Sequence, residues 1–337
     1  QYQYAGSVFI NEAKNILISF MAAKAVVDGS FTLGMMLAIQ YIIGQMNSPI
    51  EQLIGFVHSA QDAKISLERL GEIHSREDEE NPEEKISIIP ENKSINIENL
   101  CFQYDGPHSE KVLDNIGLQI PEGKVTAIVG TSGSGKTTLI KLLLGFYPPV
   151  QGEIKVGDIR LGNFSNKMWR QKCGVVMQDG YLFTDSIAKN IALGEEQIDK
   201  QKLLHAVKVA NIQEFIESLP LGYNTKIGNE GIGLSQGQKQ RLLIARAVYK
   251  NPEYLFFDEA TNALDTRNEK IIMNNLEKFF YGKTVVIVAH RLSTVKNADN
   301  IIVLDKGKIV ESGSHSMLTS VRGEYYNLVK NQLELGN

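Results

Sequence analysis

GTSGSGKTT, Gly130–Thr138, is the stretch on which the reading of this chain turns. Three glycines, Gly130, Gly133 and Gly135, let the backbone curl until N–H groups point inward, as a cradle for phosphate oxygens requires. Lys136 then supplies a point charge for β- and γ-phosphates, and Thr137 a hydroxyl for Mg²⁺. The flanks fit as well. VTAIV, Val125–Val129, is a short β-branched run of the kind that forms a buried strand, and LIKLLLG, Leu139–Gly145, is an apolar helical run. Strand, glycine loop, helix is the context a phosphate-binding loop needs, and the helix start adds partial positive charge. The other reading, an ordinary Gly-rich turn, does not account for these flanks.

A phosphate loop needs an acidic partner for the metal and the water. EYLFFDEA, Glu253–Ala260, offers a second buried strand, Tyr254–Phe257, ending in Asp258 and Glu259. Alone, an acidic pair after a strand reads as a solvated turn or a helix cap. Beside the loop, Asp258 is expected to hold Mg²⁺ through its water shell, and Glu259 to polarise an attacking water as general base. TVVIVAHR, Thr284–Arg291, is a third buried strand ending in His290, and CGVVMQDG, Cys173–Gly180, similarly presents Gln178. A lone His is usually an ordinary surface or core residue, but strand C-terminal ends are where α/β sheets carry their chemistry. The Gln178 amide there can reach a metal ion or a water.

Bulk composition narrows the classes. The chain has 337 residues, 43% of them apolar, enough for about two domains with a real core. The net charge of -4 does not call for nucleic acid. Cys101 and Cys173 fit no metal or redox spacing and read as buried, reduced thiols, in keeping with a cytosolic setting. Opening on Gln1, without a charged start leading into a short apolar stretch, the chain shows no signal peptide and reads as a piece of something longer.

Organisation changes once, sharply. Residues 1–73 carry few charges and read as helix; residues 74–93 are charged, contain two prolines and read as a linker; residues 94–337 alternate strands and helices, with a helical subdomain at about 180–250. The first part holds two apolar stretches, Ile16–Val27 and Leu33–Phe56, joined by VDGSF. Twenty-four helical residues reach about 36 Å, enough for a bilayer. Yet Lys24 falls in the first, and Gln40, Gln45, Asn47, Ser48, Pro49, Glu51 and Gln52 interrupt the second. Buried helices of a soluble domain and membrane helices with polar faces turned toward neighbours both remain open on this pattern. Apolar spacing at Ile50, Leu53, Val57, Ala60, Ala63, Leu67 and Leu70 carries the second helix on toward the linker.

Taken in this order, the pieces from Ser94 onward resemble the nucleotide-binding domain of ABC transporters. The fold this implies is α/β, a P-loop NTPase domain with a helical subdomain, preceded by membrane-derived helices. GTSGSGKTT resembles Walker A and YLFFDE Walker B; Gln178 resembles the Q-loop glutamine, His290 the switch histidine, and NALD, Asn262–Asp265, the D-loop. Tyr104 resembles the aromatic that stacks on adenine; without the family it would read as a strand-edge aromatic. GLSQGQKQR, Gly233–Arg241, resembles the signature motif, with Gln236 where the family usually has glycine. IGNEG, Ile227–Gly231, resembles the segment by which exporters touch the intracellular loops of their membrane domain, with Glu230 one place from the commonest pattern.

The resemblance implies ATP and Mg²⁺ as ligands. Nucleotide contacts would come from Tyr104, Gly130, Ser132, Gly133, Ser134, Gly135, Lys136, Thr137 and Thr138. Ser235, Gly237, Gln238 and Asp265 would reach the nucleotide of a second copy in a head-to-tail homodimer. Thr137, Gln178 and Asp258 would serve the metal, and Glu259, Gln178 and His290 the hydrolysis. Fusion of membrane helices to the ATPase favours an exporter. TLGMMLAIQYIIGQMNSPIEQL, LSQGQKQRLLIARAVYKNP and KNQLELGN are similar to bacterial peptide (bacteriocin) exporters with an N-terminal cysteine-peptidase domain, which would lie upstream of Gln1. That places the protein in the bacterial inner membrane with the ATP-binding domain in the cytoplasm, exporting a peptide. Lipid or drug exporters, a soluble ABC ATPase acting on nucleic acid or ribosomes, and a non-hydrolysing regulatory module are the rival readings. Residues 1–73 oppose the soluble one; Lys136, Asp258, Glu259 and His290 oppose the regulatory one.

Overall fold

A computed structural model of the chain describes residues 2–76, 79–80, 85–106, 109–228, 231–289 and 295–335. It divides into two units, residues 1–79 and 80–337.

The first unit is a pair of helices, α1 (Tyr2–Val27) and α2 (Leu33–His74), joined through the left-handed Gly29. Helix α2 runs unbroken through Pro49 and continues the apolar spacing seen beyond it. Lys14 Nζ donates to Asn47 Oδ1 at 3.1 Å, so one polar interruption of α2 finds a partner on α1. Among the described residues of this unit only Ala22 is a buried apolar residue, while Phe9, Phe20 and Phe56 are about 70% exposed (74%, 69% and 70%). Two helices alone cannot cover such faces. No helix among the described residues is long and apolar enough to cross a membrane. The spans expected at Ile16–Val27 and Leu33–Phe56 therefore do not stand as self-sufficient apolar runs. Lys24 dilutes the first, and the polar cluster from Gln45 to Gln52 dilutes the second.

The second unit is built on a six-stranded sheet in the order β12-β11-β3-β10-β9-β6. Its members are β3 (Val125–Val129), β6 (Cys173–Val176), β9 (Tyr254–Asp258), β10 (Thr284–Val288), β11 (Asn300–Asp305) and β12 (Lys308–Gly313). All neighbours are parallel except the edge strand β12. Period-two alternation sends each strand's side chains to two cores. Ala127, Val129, Leu255, Phe257, Val285 and Ile287 face one; Ile128, Tyr254, Phe256, Val286 and Val288 face the other. Parallel strands covered on both faces read as near-continuous apolar runs, which is why VTAIV, YLFF and TVVIV are so plain in the sequence.

One face is covered by α3 (Lys136–Leu143), α4 (Asn166–Lys172) and an antiparallel sheet, β2-β1-β4-β5. Its strands are β1 (Ile95–Phe102), β2 (Leu113–Ile120), β4 (Gln151–Val156) and β5 (Ile159–Arg160). The other face is covered by helices, among them α5 (Ile187–Ile191), α6 (Lys200–Val209), α7 (Gln213–Ser218), α8 (Gln236–Tyr249) and α9 (Thr266–Phe280). Cys101 and Cys173 are both buried and unpaired, and burial pushes the Cys173 thiol far up, so it stays protonated and inert.

Candidate functional site

The phosphate loop sits where β3 ends and α3 begins, at the C-terminal edge of the parallel strands. Gly130, Gly133 and Gly135 all have positive φ, at 155°, 77° and 102°. At Gly130 a Cβ would stand 2.0 Å from the Leu304 carbonyl oxygen, and at Gly135 it would stand 2.7 Å from Leu113 Cδ2. Glycine is thus required twice over, by backbone conformation and by close approach. Helix α3 has Gly135 at its N-cap and no side-chain cap, so its first amides are not taken up by a capping side chain. Lys136 is buried, and its Nζ donates to the carbonyls of Gly130 and Thr131 at 3.1 and 2.7 Å. Burial lowers its pKa, and the Glu259 and Asp258 carboxylates pull it the other way.

Asp258, the last residue of β9, is fully buried, and neither carboxylate oxygen has a hydrogen-bond partner of good geometry. Burial raises its pKa; the Thr137 hydroxyl, near enough to pull the other way, does not compensate. A buried carboxylate without a partner is costly, and a cation is the partner that would relieve it. The Ser134 hydroxyl is likewise buried without a partner inside the loop. Among the described residues no three His, Cys, Asp or Glu side chains group as a self-contained metal site. The donor set present, one carboxylate and the Thr137 hydroxyl, suits Mg²⁺ completed by phosphate oxygens and water.

Glu259 follows Asp258 in the left-handed region, at φ 51°, uncommon for a residue with a side chain. Its N–H donates to Val288 O of the neighbouring strand at 3.1 Å, and its carboxylate accepts from Asn262 Nδ2. Gln178 is exposed two residues beyond β6, the neighbour of β9, so it sits at the same strand edge as Asp258. Tyr104 is half-exposed beside the loop. Its hydroxyl lies 3.0 Å from Thr138 Oγ1, and its ring packs edge-on against Phe102 and Tyr147. Ser132 and Gly133 are exposed on the loop. His290 and Glu230 lie outside the described residues.

The signature stretch opens helix α8 at Gln236, with Ser235 as N-cap. Ser235 Oγ accepts from Gln238 N–H at 3.2 Å, and Gln238 Oε1 accepts from Ser235 N–H at 2.9 Å. This reciprocal capping box corresponds to S-x-x-Q in the sequence and fixes the helix start. Gly237 packs on the segment after Walker B, where a Cβ would stand 3.2 Å from Ala263 O. Asp265 caps α9 by accepting from Asn268 N–H at 2.9 Å, and that bond lowers its pKa. Ser235, Gln238 and Asp265 thus each hold a local structural bond. Among the described residues Ser235 makes its side-chain hydrogen bond to Gln238 and none to the phosphate loop.

One residue escaped the sequence reading. Gln240 is buried, donates through Nε2 to Glu259 O at 3.3 Å, and accepts through Oε1 from Ala263 N–H at 3.1 Å. Gln240 stands in the sequence among Gln236, Gln238, Lys239 and Arg241, so nothing local marks it as buried. A concavity of about 680 Å³ lined by Lys202, His205, Lys208, Lys278, Phe279 and Lys283 contains none of the predicted site residues.

Comparison with known proteins agrees with this geometry. A family model described as ABC transporter matches residues 113–262. The chain is 42% identical over 322 residues to an alpha-hemolysin translocation ATP-binding protein of Escherichia coli, covering 96% of this chain and 45% of that protein. It is 42% identical over 321 residues to a leukotoxin export ATP-binding protein of Aggregatibacter actinomycetemcomitans, with 95% and 45% covered. The chain therefore spans less than half the length of these curated relatives. Among solved structures, a bacterial Atm1-family ABC exporter with ATP bound matches with a TM-score of 0.77 and 32% identity, over 98% of this chain and 59% of that one.

Proposed function

Because this chain belongs to the ABC transporter family and carries its ATP-binding domain, we propose that it binds MgATP and hydrolyses it to drive export of a polypeptide. The observation that carries the reading is the buried, unpartnered Asp258 carboxylate within electrostatic reach of Lys136 at the glycine loop. In this reading the loop amides, Lys136, Ser132, Ser134 and Thr138 hold the phosphates, and Tyr104 seats the adenine. Base stacking on one aromatic is worth ~1–3 kcal/mol in nucleic-acid data. Thr137, Asp258 and, through its amide, Gln178 hold Mg²⁺, which when bound supplies positive charge to the phosphate oxygens. Glu259 takes the proton of the attacking water, and His290 steadies the γ-phosphate and the water.

The second face of the site comes from another copy. Ser235, Gly237, Gln238 and Asp265 close over the nucleotide held by the partner's loop, in a head-to-tail homodimer. Loss of the γ-phosphate reopens it, an electrostatic switch. The exposed apolar faces of α1 and α2 support their belonging to a larger helical membrane body, with the ATP-binding domain on the cytoplasmic side of the bacterial membrane. For the cargo, the relatives' names speak of toxin translocation, which supports a polypeptide over a lipid or drug. A bacteriocin-like peptide is the narrower form of this proposal. Retention of the purified chain in detergent or lipid, lost when residues 1–73 are deleted, tests the membrane assignment.

Glu259→Gln tests the chemistry. ATP binding stays within twofold, ATP hydrolysis falls by ~10²–10⁴, the range of general base catalysis, and sedimentation with ATP shows a dimer. A near-normal rate would remove Glu259 from the role of base.

A further inference from the structure

Residues 259–264 form a compact segment. Its internal bonds are Asn262 N–H to Glu259 O at 3.2 Å and Leu264 N–H to Thr261 O at 3.1 Å. It begins with Glu259 in the left-handed region, so the direction of the carboxylate depends on how the backbone at 259 is held. On the α9 side, the Thr261 hydroxyl donates to Glu269 Oε1 at 3.3 Å, both residues buried. On the α8 side, Gln240 supplies side-chain bonds to the backbone of this segment. One carboxamide takes both ends of the turn: Nε2 donates to the Glu259 carbonyl, and Oε1 accepts from the Ala263 amide.

Gln240 is 7% exposed on a helix whose other inward positions, Leu242, Leu243, Ile244 and Ala245, are apolar. Packing alone would be served by leucine or methionine there. The helix that carries Gln240 is fixed at both flanks of the contact. One turn upstream Gly237 lies against Ala263 O; one residue on, Arg241 donates to Asn211 O at 2.8 Å, and Asn211 Nδ2 donates to Asn268 Oδ1 at 2.8 Å. The amide is therefore presented to the segment by a rigid element rather than by a loop.

We infer that Gln240 is a positioning residue: by bridging the Glu259 carbonyl and the Ala263 amide it sets the backbone from which the Glu259 carboxylate is aimed. The inference rests on the proposed role of Glu259 as base. It adds that the helix opened by Ser235 controls the base of its own chain, through one side chain with two hydrogen bonds.

Two substitutions separate positioning from packing. Gln240→Glu keeps an acceptor for Ala263 N–H and removes the donor to Glu259 O; Gln240→Met removes both and keeps the volume. Each is measured in the full chain for ATP affinity, kcat and thermal midpoint, alone and with Glu259→Gln. Both variants are expected to lose about tenfold in kcat, one hydrogen bond's worth of transition-state stabilisation, with ATP affinity within twofold. In the Glu259→Gln background the further loss disappears, because a residue acting through Glu259 has nothing left to position. Unchanged kcat in Gln240→Glu overturns the inference. So does a kcat loss of the same size with Glu259 already replaced, or one that tracks equal losses of ATP affinity and thermal midpoint. If the unsubstituted chain hydrolyses no ATP, the proposed function falls and the inference with it; if it hydrolyses ATP and Gln240→Glu matches it, only the inference falls.

Discussion

Helix α3 starts after Gly135, in the left-handed region, with no side chain capping it; helix α8 starts after Ser235, in extended backbone, inside a complete capping box. Both starts belong to motifs associated with phosphate. The first cannot cap itself, because its N-cap has no side chain, and it lacks an acidic residue in its first turn. Its amides are left for an outside acceptor, an arrangement that costs stability when nothing is bound. The second satisfies itself, and its serine oxygen accepts from Gln238 while the hydroxyl proton can still be donated outward. One terminus leaves its amides open to a ligand; the other is a finished helix that can add a contact. This fits a primary site in one chain completed by a second copy.

The largest expected break in that comparison is at the first terminus. Lys136→Ala removes the charge of the uncapped site, and ATP affinity is expected to fall by roughly 10–150-fold, the worth of hydrogen bonds to a charged group. Binding of a fluorescent ATP analogue to the purified chain measures it. If affinity holds, the glycine loop is not the primary site and the asymmetry between the two helices loses its meaning.

Asp258→Asn tests the cost side of the same terminus. An acid whose folded pKa is raised keeps its proton more readily when folded. Its contribution is fully present below the ordinary value of 3.8 and is lost as pH rises through the raised folded value. Above that, the ionised, buried carboxylate destabilises the fold. At neutral pH without Mg²⁺, Asp258→Asn is expected to stabilise the chain by about 1 kcal/mol, the lower range for relieving a buried unpaired group. The gain shrinks toward zero as pH is lowered through the folded pKa, and Mg²⁺-dependent hydrolysis is lost. Thermal melts at several pH values read this out; a destabilised variant at neutral pH would mean that Asp258 is satisfied by a partner.

At the second terminus the comparison predicts a split. Ser235→Ala loses the cap and is expected to cost about 1 kcal/mol of stability as well as turnover. Ser235→Asp keeps a good cap and places a negative charge where a phosphate should come, so stability holds while turnover falls. Equal turnover in Ser235→Asp and the unsubstituted chain would leave the serine as a cap and nothing more.

How far the sequence carried the reading depends on the range of the physics involved. Gly130, Gly133 and Gly135 announce themselves because a local constraint, positive φ, joined at Gly130 and Gly135 by a close backbone, admits little else. The strands of the parallel sheet are legible because burial on both faces leaves uninterrupted apolar runs. Gln240 was invisible, since its role is a contact with residues 19 and 23 positions away. Residues 1–73 were read correctly as helical, but the surface they pack against is not written in them, because exposed apolar faces state a need without naming what meets it.

The smallest expected effect is at Gln236, where the signature departs from the family's glycine. Its neighbour Gly237 shows what glycine is for in this stretch: a Cβ there would press on Ala263 O. Gln236 is under no such pressure. It is exposed in the first turn of α8, and the Ser235–Gln238 box closes around the helix start without it. Glycine at this position would loosen the first turn slightly, and exposed substitutions away from special features usually stay within about 0.5 kcal/mol. Gln236→Gly is therefore expected to leave ATP affinity and turnover unchanged, measured beside Ser235→Asp in the same assay. A clear fall in turnover with affinity intact would mean that the Gln236 amide reaches the partner's nucleotide, and that the second terminus is more specialised than its self-contained cap suggests.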